Sequence, residues 1–132
     1  IHYKGTIGSR VGSETVLIFK KIGSIQDFND YELFVDEKKW RISKMILRQN
    51  HEPKKIVGKF FYARKAGKWV VEETLSGFKI NGQKHMEKTK YKYRKLQSFW
   101  VVYKINQTVM QDGNMIRSYK FTLNNYKLNS KR

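Results

Sequence analysis

The run Lys88-Thr89-Lys90-Tyr91-Lys92-Tyr93-Arg94 sets a cation at every second position. Alternate side chains of an extended strand share a face. Lys88, Lys90, Lys92 and Arg94 are therefore expected on one side, with Thr89, Tyr91 and Tyr93 on the other. Two residues advance a strand by about 6.6–6.8 Å, close to the separation of successive phosphates on a nucleic-acid strand. Such a stripe neutralises phosphates and releases their counterions, so its affinity falls steeply with salt. Glu87 is the only acid nearby. The competing reading is an ordinary soluble strand face. A second basic feature, Arg64-Lys65-Ala66-Gly67-Lys68-Trp69, is a loop leading into a strand that starts at Trp69. Lys79, Lys84 and Lys95 extend the candidate phosphate contacts. The three tryptophans, Trp40, Trp69 and Trp100, are each expected in the core.

Catalytic constellations are missing. His2, His51 and His85 lie far apart, and none stands at a metal-ligand spacing. Glu72 and Glu73 are neighbours, so in a strand they point to opposite faces and cannot work as a pair. No glycine-rich phosphate loop is present. There is no cysteine, which excludes disulfides, thiolate metal sites and a thiol nucleophile. The expectation is a binding protein with no enzymatic activity, cofactor, metal or small-molecule substrate.

The elements that must carry the stripe are mostly strands. Residues 56–62, 69–74, 76–80, 87–95, 99–105 and 116–123 are rich in branched and aromatic side chains. Asn81-Gly82 is the strongest hairpin signal between them, and Asp112-Gly113-Asn114 marks another turn. Residues 13–21 read as a short helix capped by Ser13 or, nearly as well, as a strand. Residues 27–42 read as loop and short helix. No repeat or low-complexity stretch stands out. The fold expected is mainly β (α+β): a twisted antiparallel sheet of about six strands flanked by short helices.

In bulk, 132 residues fit one domain able to bury a core without staples. The longest apolar runs are too short to span a bilayer, so no membrane partner is expected. The start lacks Met and lacks the apolar run of a signal peptide, so the chain is expected to begin inside a longer product. Lys and Arg number 28 against 11 Asp and Glu, a net +17. Residues 1–50 carry 9 basic and 6 acidic side chains, and residues 51–132 carry 19 and 5. A field of that size, concentrated in the later part, points to an anionic partner.

In their order, several motifs resemble the NAC domain, the DNA-binding domain of plant transcription factors. The segment Gly5 to Gly23, with Glu14-Thr15-Val16, resembles that family's opening stretch. Lys59-Phe60-Phe61-Tyr62-Ala63-Arg64 is similar to its Tyr-Phe-Phe-Ser-Pro-Arg, and Gly67-Lys68-Trp69 to its Gly-Tyr-Trp. Ile80-Asn81-Gly82 with Lys88 to Tyr93, then Phe99 to Ile105, then Phe121-Thr122-Leu123, match later landmarks in sequence order. After the Trp, Val70-Val71-Glu72-Glu73 stands where the family has Lys-Ala-Thr-Gly. The resemblance implies one NAC-like DNA-binding domain over 1–128 with a basic tail at 129–132, acting in the nucleus as part of a transcription factor. It implies a homo- or heterodimer with NAC-like proteins through Tyr3, Gly5, Ile7, Arg10 and Glu14. It also implies that the strand edge at Trp69 enters the major groove of double-stranded DNA. Arg64, Lys65, Lys68, Trp69, Lys79, Lys84, Lys88, Lys90, Lys92, Arg94 and Lys95 would then serve DNA binding. Two alternatives stay open: a β-sheet module stacking single-stranded RNA on Tyr91, Tyr93 or Tyr103, and a NAC-like protein-interaction domain that has lost DNA binding.

Overall fold

The computed structural model describes residues 2–23 and 29–126. They form one antiparallel sheet of nine strands: β1 (His2–Val11), β2 (Glu14–Ile22), β3 (Asn29–Asp36), β4 (Arg41–Gln49), β5 (Lys55–Lys65), β6 (Lys68–Ile80), β7 (Gln83–Leu96), β8 (Phe99–Gln111) and β9 (Asn114–Thr122). Strand order in the sheet is chain order, from β1 to β9. Each strand turns back against the one just made.

The expectation of six strands flanked by helices is corrected: no helix occurs among the described residues. Residues 14–22 are a strand because Val16-Leu17-Ile18-Phe19 is a branched and aromatic run that packs well on a pleated surface. Of the segment 27–42 expected as loop and short helix, residues 27 and 28 lie outside the described residues, and the rest supplies β3, its turn and the start of β4. In that turn Asp36 Oδ1 accepts the backbone N–H groups of Lys38 and Lys39 at 3.0 and 3.2 Å. A short acid folded onto its own backbone favours a turn over a helix. The two strands expected at 69–74 and 76–80 are one continuous β6. The expected tail at 129–132 lies outside the described residues.

Turn chemistry sets the hairpins. Ala66-Gly67, Asn81-Gly82 and Asp112-Gly113 each have positive φ at both positions. That backbone twist matches the right-handed twist of the flanking strands.

A repeat not evident from composition emerges from the register. β4, β6 and β8 each carry an irregularity two or three residues after Trp40, Trp69 and Trp100. These tryptophans are 29 and 31 residues apart. Beyond each irregularity the hairpin end leaves the sheet as a two-stranded arm. For example, β6 pairs with β5 up to Lys68, but its ladder with β7 begins only at Glu73. A tyrosine hydroxyl from the following segment caps a carbonyl where each ladder parts. Tyr62 donates to Ile42 at 2.5 Å, Tyr93 to Val71 at 2.6 Å, and Tyr126 to Val102. These bonds satisfy backbone acceptors that the departing strand would otherwise leave open.

Cations link successive arms. Arg41 lies 4.2 Å from the centre of the Trp69 ring, and Lys65 lies 5.6 Å from that of Trp100. Arg64 covers Trp69 as well, at 4.3 Å. The expectation of core tryptophans is thus corrected. Trp40 is 82% exposed and Trp100 36%. Trp40 also adopts a φ of 50°, a left-handed conformation rare for a bulky residue.

A single layer has little interior. Among the described residues Val16 and Ile46 are the buried apolar side chains, and no large side chain is completely enclosed. The surface of 10,026 Å² exceeds the roughly 7,300 Å² of a compact chain of this mass.

Partners in an antiparallel ladder share a face, so the register assigns both faces. One face carries the row Phe19, Tyr31, Leu47, Ile56 and Phe78, each directly opposite the next. These side chains are half-buried against one another. The other face carries the charge.

Candidate nucleic-acid interface

β7 alternates along its whole length, and its central position between β6 and β8 fixes which way it faces. Lys84, Met86, Lys88, Lys90, Lys92 and Arg94 share one side. Thr89, Tyr91 and Tyr93 share the other with Val109, Gln107 and Ile105 of β8. Lys84, Lys90 and Lys92 are exposed, and Lys88, paired with Glu73, is half-buried. The tyrosines are half-buried because they belong to the packed face. Burial raises the Tyr93 phenol above its ordinary pKa, and neighbouring Tyr91 adds to this. Burial likewise raises that of Tyr62, against the pull of Arg41.

Register brings further cations to the lysine side. Lys59 of β5 lies opposite both Lys44 of β4 and Leu75 of β6, which in turn faces Lys88. Lys79 faces Lys84, and Lys92 faces Lys104. Lys120 of β9 lies opposite Asn106, which faces Lys90. From β4 to β9 this face therefore holds cations on every strand across about 24 Å, at 4.7–4.9 Å per strand. Lys84 to Arg94 spans about 33 Å along β7, close to one helical turn of duplex DNA.

Glu73 is the acid within this field. Its carboxylate lies 3.6 Å from Lys88 Nζ and 4.0 Å from Lys90 Nζ. On the same face beyond β4, β3 carries Asp30, Glu32 and Asp36, with Asp30 directly opposite Arg48. Glu32 binds Arg48 at 2.8 Å, and Glu37 binds Arg10 at 2.7 Å. The Thr15 hydroxyl and then Arg10 hold the Glu37 carboxyl below its usual pKa. None of these acids covers the lysines of β7.

The sequence-derived candidates divide accordingly. Lys79, Lys84, Lys88, Lys90 and Lys92 are brought together, and Arg94 lies on the β7–β8 arm, over the Tyr126 ring at 5.3 Å. Lys95 alternates to the opposite face, level with Trp100. Arg64 and Trp69 are opposite partners on that same side. Lys65 and Lys68 stand at the tip of the β5–β6 arm. Lys44, Lys59, Lys104 and Lys120 were not singled out by sequence. Their neighbourhood is set by strand register, for which no single strand carries a signal.

The residues proposed for a dimer have partners within the chain. Arg10 binds Glu37, and Glu14 accepts the Ser43 hydroxyl. Tyr3 packs edge-on against Tyr31, and a Cβ on Gly5 would crowd Phe19 at 3.2 Å. Ile7 is exposed. No cluster of three metal-binding side chains occurs among the described residues.

No family model, curated protein or solved structure matches this chain, and nothing in those comparisons identifies a NAC domain.

Proposed function

We propose that the chain binds double-stranded DNA, gripping the phosphate backbone with the cationic face of β4 to β9. The observation that carries the reading is the shared orientation of Lys84, Lys88, Lys90 and Lys92. Lys59 and Lys104 flank them, and among the described residues of β4 to β9 Glu73 is the acid interleaved with them. Phosphate contacts position a protein without reading sequence, so binding is largely sequence-independent. The helix-free sheet gives no support to the narrower assignment as a plant transcription factor. Single-stranded binding by stacking needs aromatic rings beside the cations. Tyr91 and Tyr93 face the other way, and on the cationic side Phe61, opposite Glu73, is one exposed ring where stacking needs successive rings. The Trp69 indole is held between Arg41 and Arg64 on that other face, and we give it no base contact.

Replacing Lys88, Lys90 and Lys92 with Gln tests the grip. Affinity for random duplexes is expected to fall alike for all sequences. The slope of log K against log salt should flatten by about 2–3, at 0.9 per lost phosphate contact. An unchanged slope overturns the proposal, as does absence of duplex binding by the folded parent at low salt. A preference for single strands at equal salt also overturns it.

A further inference from the structure

One end of the charged face carries a feature that phosphate binding does not use. The loop at 50–54 and the turns Asn81-Gly82 and Asp112-Gly113 meet there around a groove of about 850 Å³. Its floor is Val57, Gly77, Met86 and Met110. These four lie directly opposite one another on β5, β6, β7 and β8. They form a straight apolar trench across the strands, about 14 Å long over three strand spacings. Ile46 continues it on β4 and Met115 on β9.

Gly77 makes the trench deep. No heavy atom lies within 4 Å of the place where its Cβ would stand. Methionine side chains are flexible and polarisable, and they mould to irregular apolar partners. Along one rim stand Lys55, Lys79 and Lys84, with Lys54 from the loop. Glu52 and Asp112 also border the groove, and Asp112 Oδ1 is engaged by the Lys84 backbone N–H at 3.1 Å. A long apolar floor beside a cluster of lysines is a poor match for a nucleic-acid backbone, which offers no aliphatic chain. It suits a molecule with one alkyl chain and one anionic head. The volume falls within the range of small-molecule sites.

We propose that this trench binds a single-chain anionic amphiphile, its alkyl chain lying along Val57, Gly77, Met86 and Met110 and its head among Lys55, Lys79 and Lys84. Lys79 and Lys84 also belong to the proposed DNA grip, so a bound amphiphile competes with DNA at that end of the face.

Calorimetry of the full chain with dodecyl phosphate below its micelle concentration tests this. Inorganic phosphate and dodecyltrimethylammonium serve as the comparison probes. Dodecyl phosphate is expected to bind, and both comparison probes to bind at least about tenfold more weakly, a difference of 1.4 kcal/mol. Gly77→Val fills the trench without meeting a neighbour, and Val suits a strand. It should weaken dodecyl phosphate at least about tenfold while leaving the melting temperature and duplex affinity unchanged. If that variant fails to fold, Met86→Gln, at an exposed position, should weaken binding in the same direction. Equal binding of the cationic amphiphile or of inorganic phosphate overturns the proposal. So does undiminished binding by whichever of the two variants folds. DNA binding that survives Gly77→Val separates this site from the duplex grip, and loss of the DNA reading leaves the amphiphile assay intact.

Discussion

Glu73 sits where it moderates the charge of β7. It is one carboxylate within 4.0 Å of two lysine ammonium groups that point to solvent. Exposed ion pairs are worth about 0.2–1 kcal/mol each. Their release should therefore leave the fold nearly unchanged and return both cations to the open face. Glu73→Gln is expected to raise duplex affinity by up to about fivefold, the equivalent of 1 kcal/mol. The gain should shrink at high salt. Fluorescence anisotropy with a labelled duplex at two salt concentrations reads both effects, and a loss of affinity would mean that Glu73 orders the lysines instead of restraining them.

At the scale of the element, the arms depend on tyrosine hydroxyls that close the gaps where ladders part. Tyr93→Phe removes the bond to the Val71 carbonyl and should cost about 1 kcal/mol in denaturant unfolding. The same groups give an alkaline limit. Burial raises the folded-state pKa of Tyr62 and Tyr93 above the ordinary value of 10.0. Stability from keeping them neutral is complete below that value and is lost as pH rises through the raised folded pKa. Melting temperature should therefore drop above about pH 10, and a Tyr62→Phe/Tyr93→Phe protein should show a shallower drop. How these elements could be read from sequence varied with the locality of the signal. Asn81-Gly82 and the alternation through Lys88–Arg94 are local patterns, and they locate a hairpin and its charged face directly. The strands β1 to β4 were less legible. Residues 13–21 suit a helix capped by Ser13 and a strand nearly equally, and the acids of 27–42 read as loop and short helix until the Asp36 turn pairs β3 with β4. The 29- and 31-residue spacing of the tryptophans was available in the sequence. The residues around them differ too much to reveal a repeat without the recurring irregularities and tyrosine bonds.

For the molecule as a whole, a net charge of +17 spread on a single layer opposes its own folding. Screening relieves that repulsion. Melting temperature should rise between 50 mM and 500 mM NaCl, by about 3–6 °C for each 1 kcal/mol relieved, while duplex binding weakens over the same range. Calorimetric scans at the two salt levels, paired with binding at each, test these opposite signs, and a falling melting temperature would show that ion pairs outweigh repulsion. Which lysines share the charged face was beyond sequence alone, because Lys59, Lys104 and Lys120 join it only through pairing across strands.

The strict agreement of spatial order with chain order also has a bearing on synthesis. A strand leaving the ribosome finds its only required neighbour already made, so no partner has to wait for a distant segment. Loop closure is short at every step, and hairpin formation in small loops is fast. The sheet can grow one turn at a time from its N-terminal side, keeping just one newly formed edge open at the growing margin.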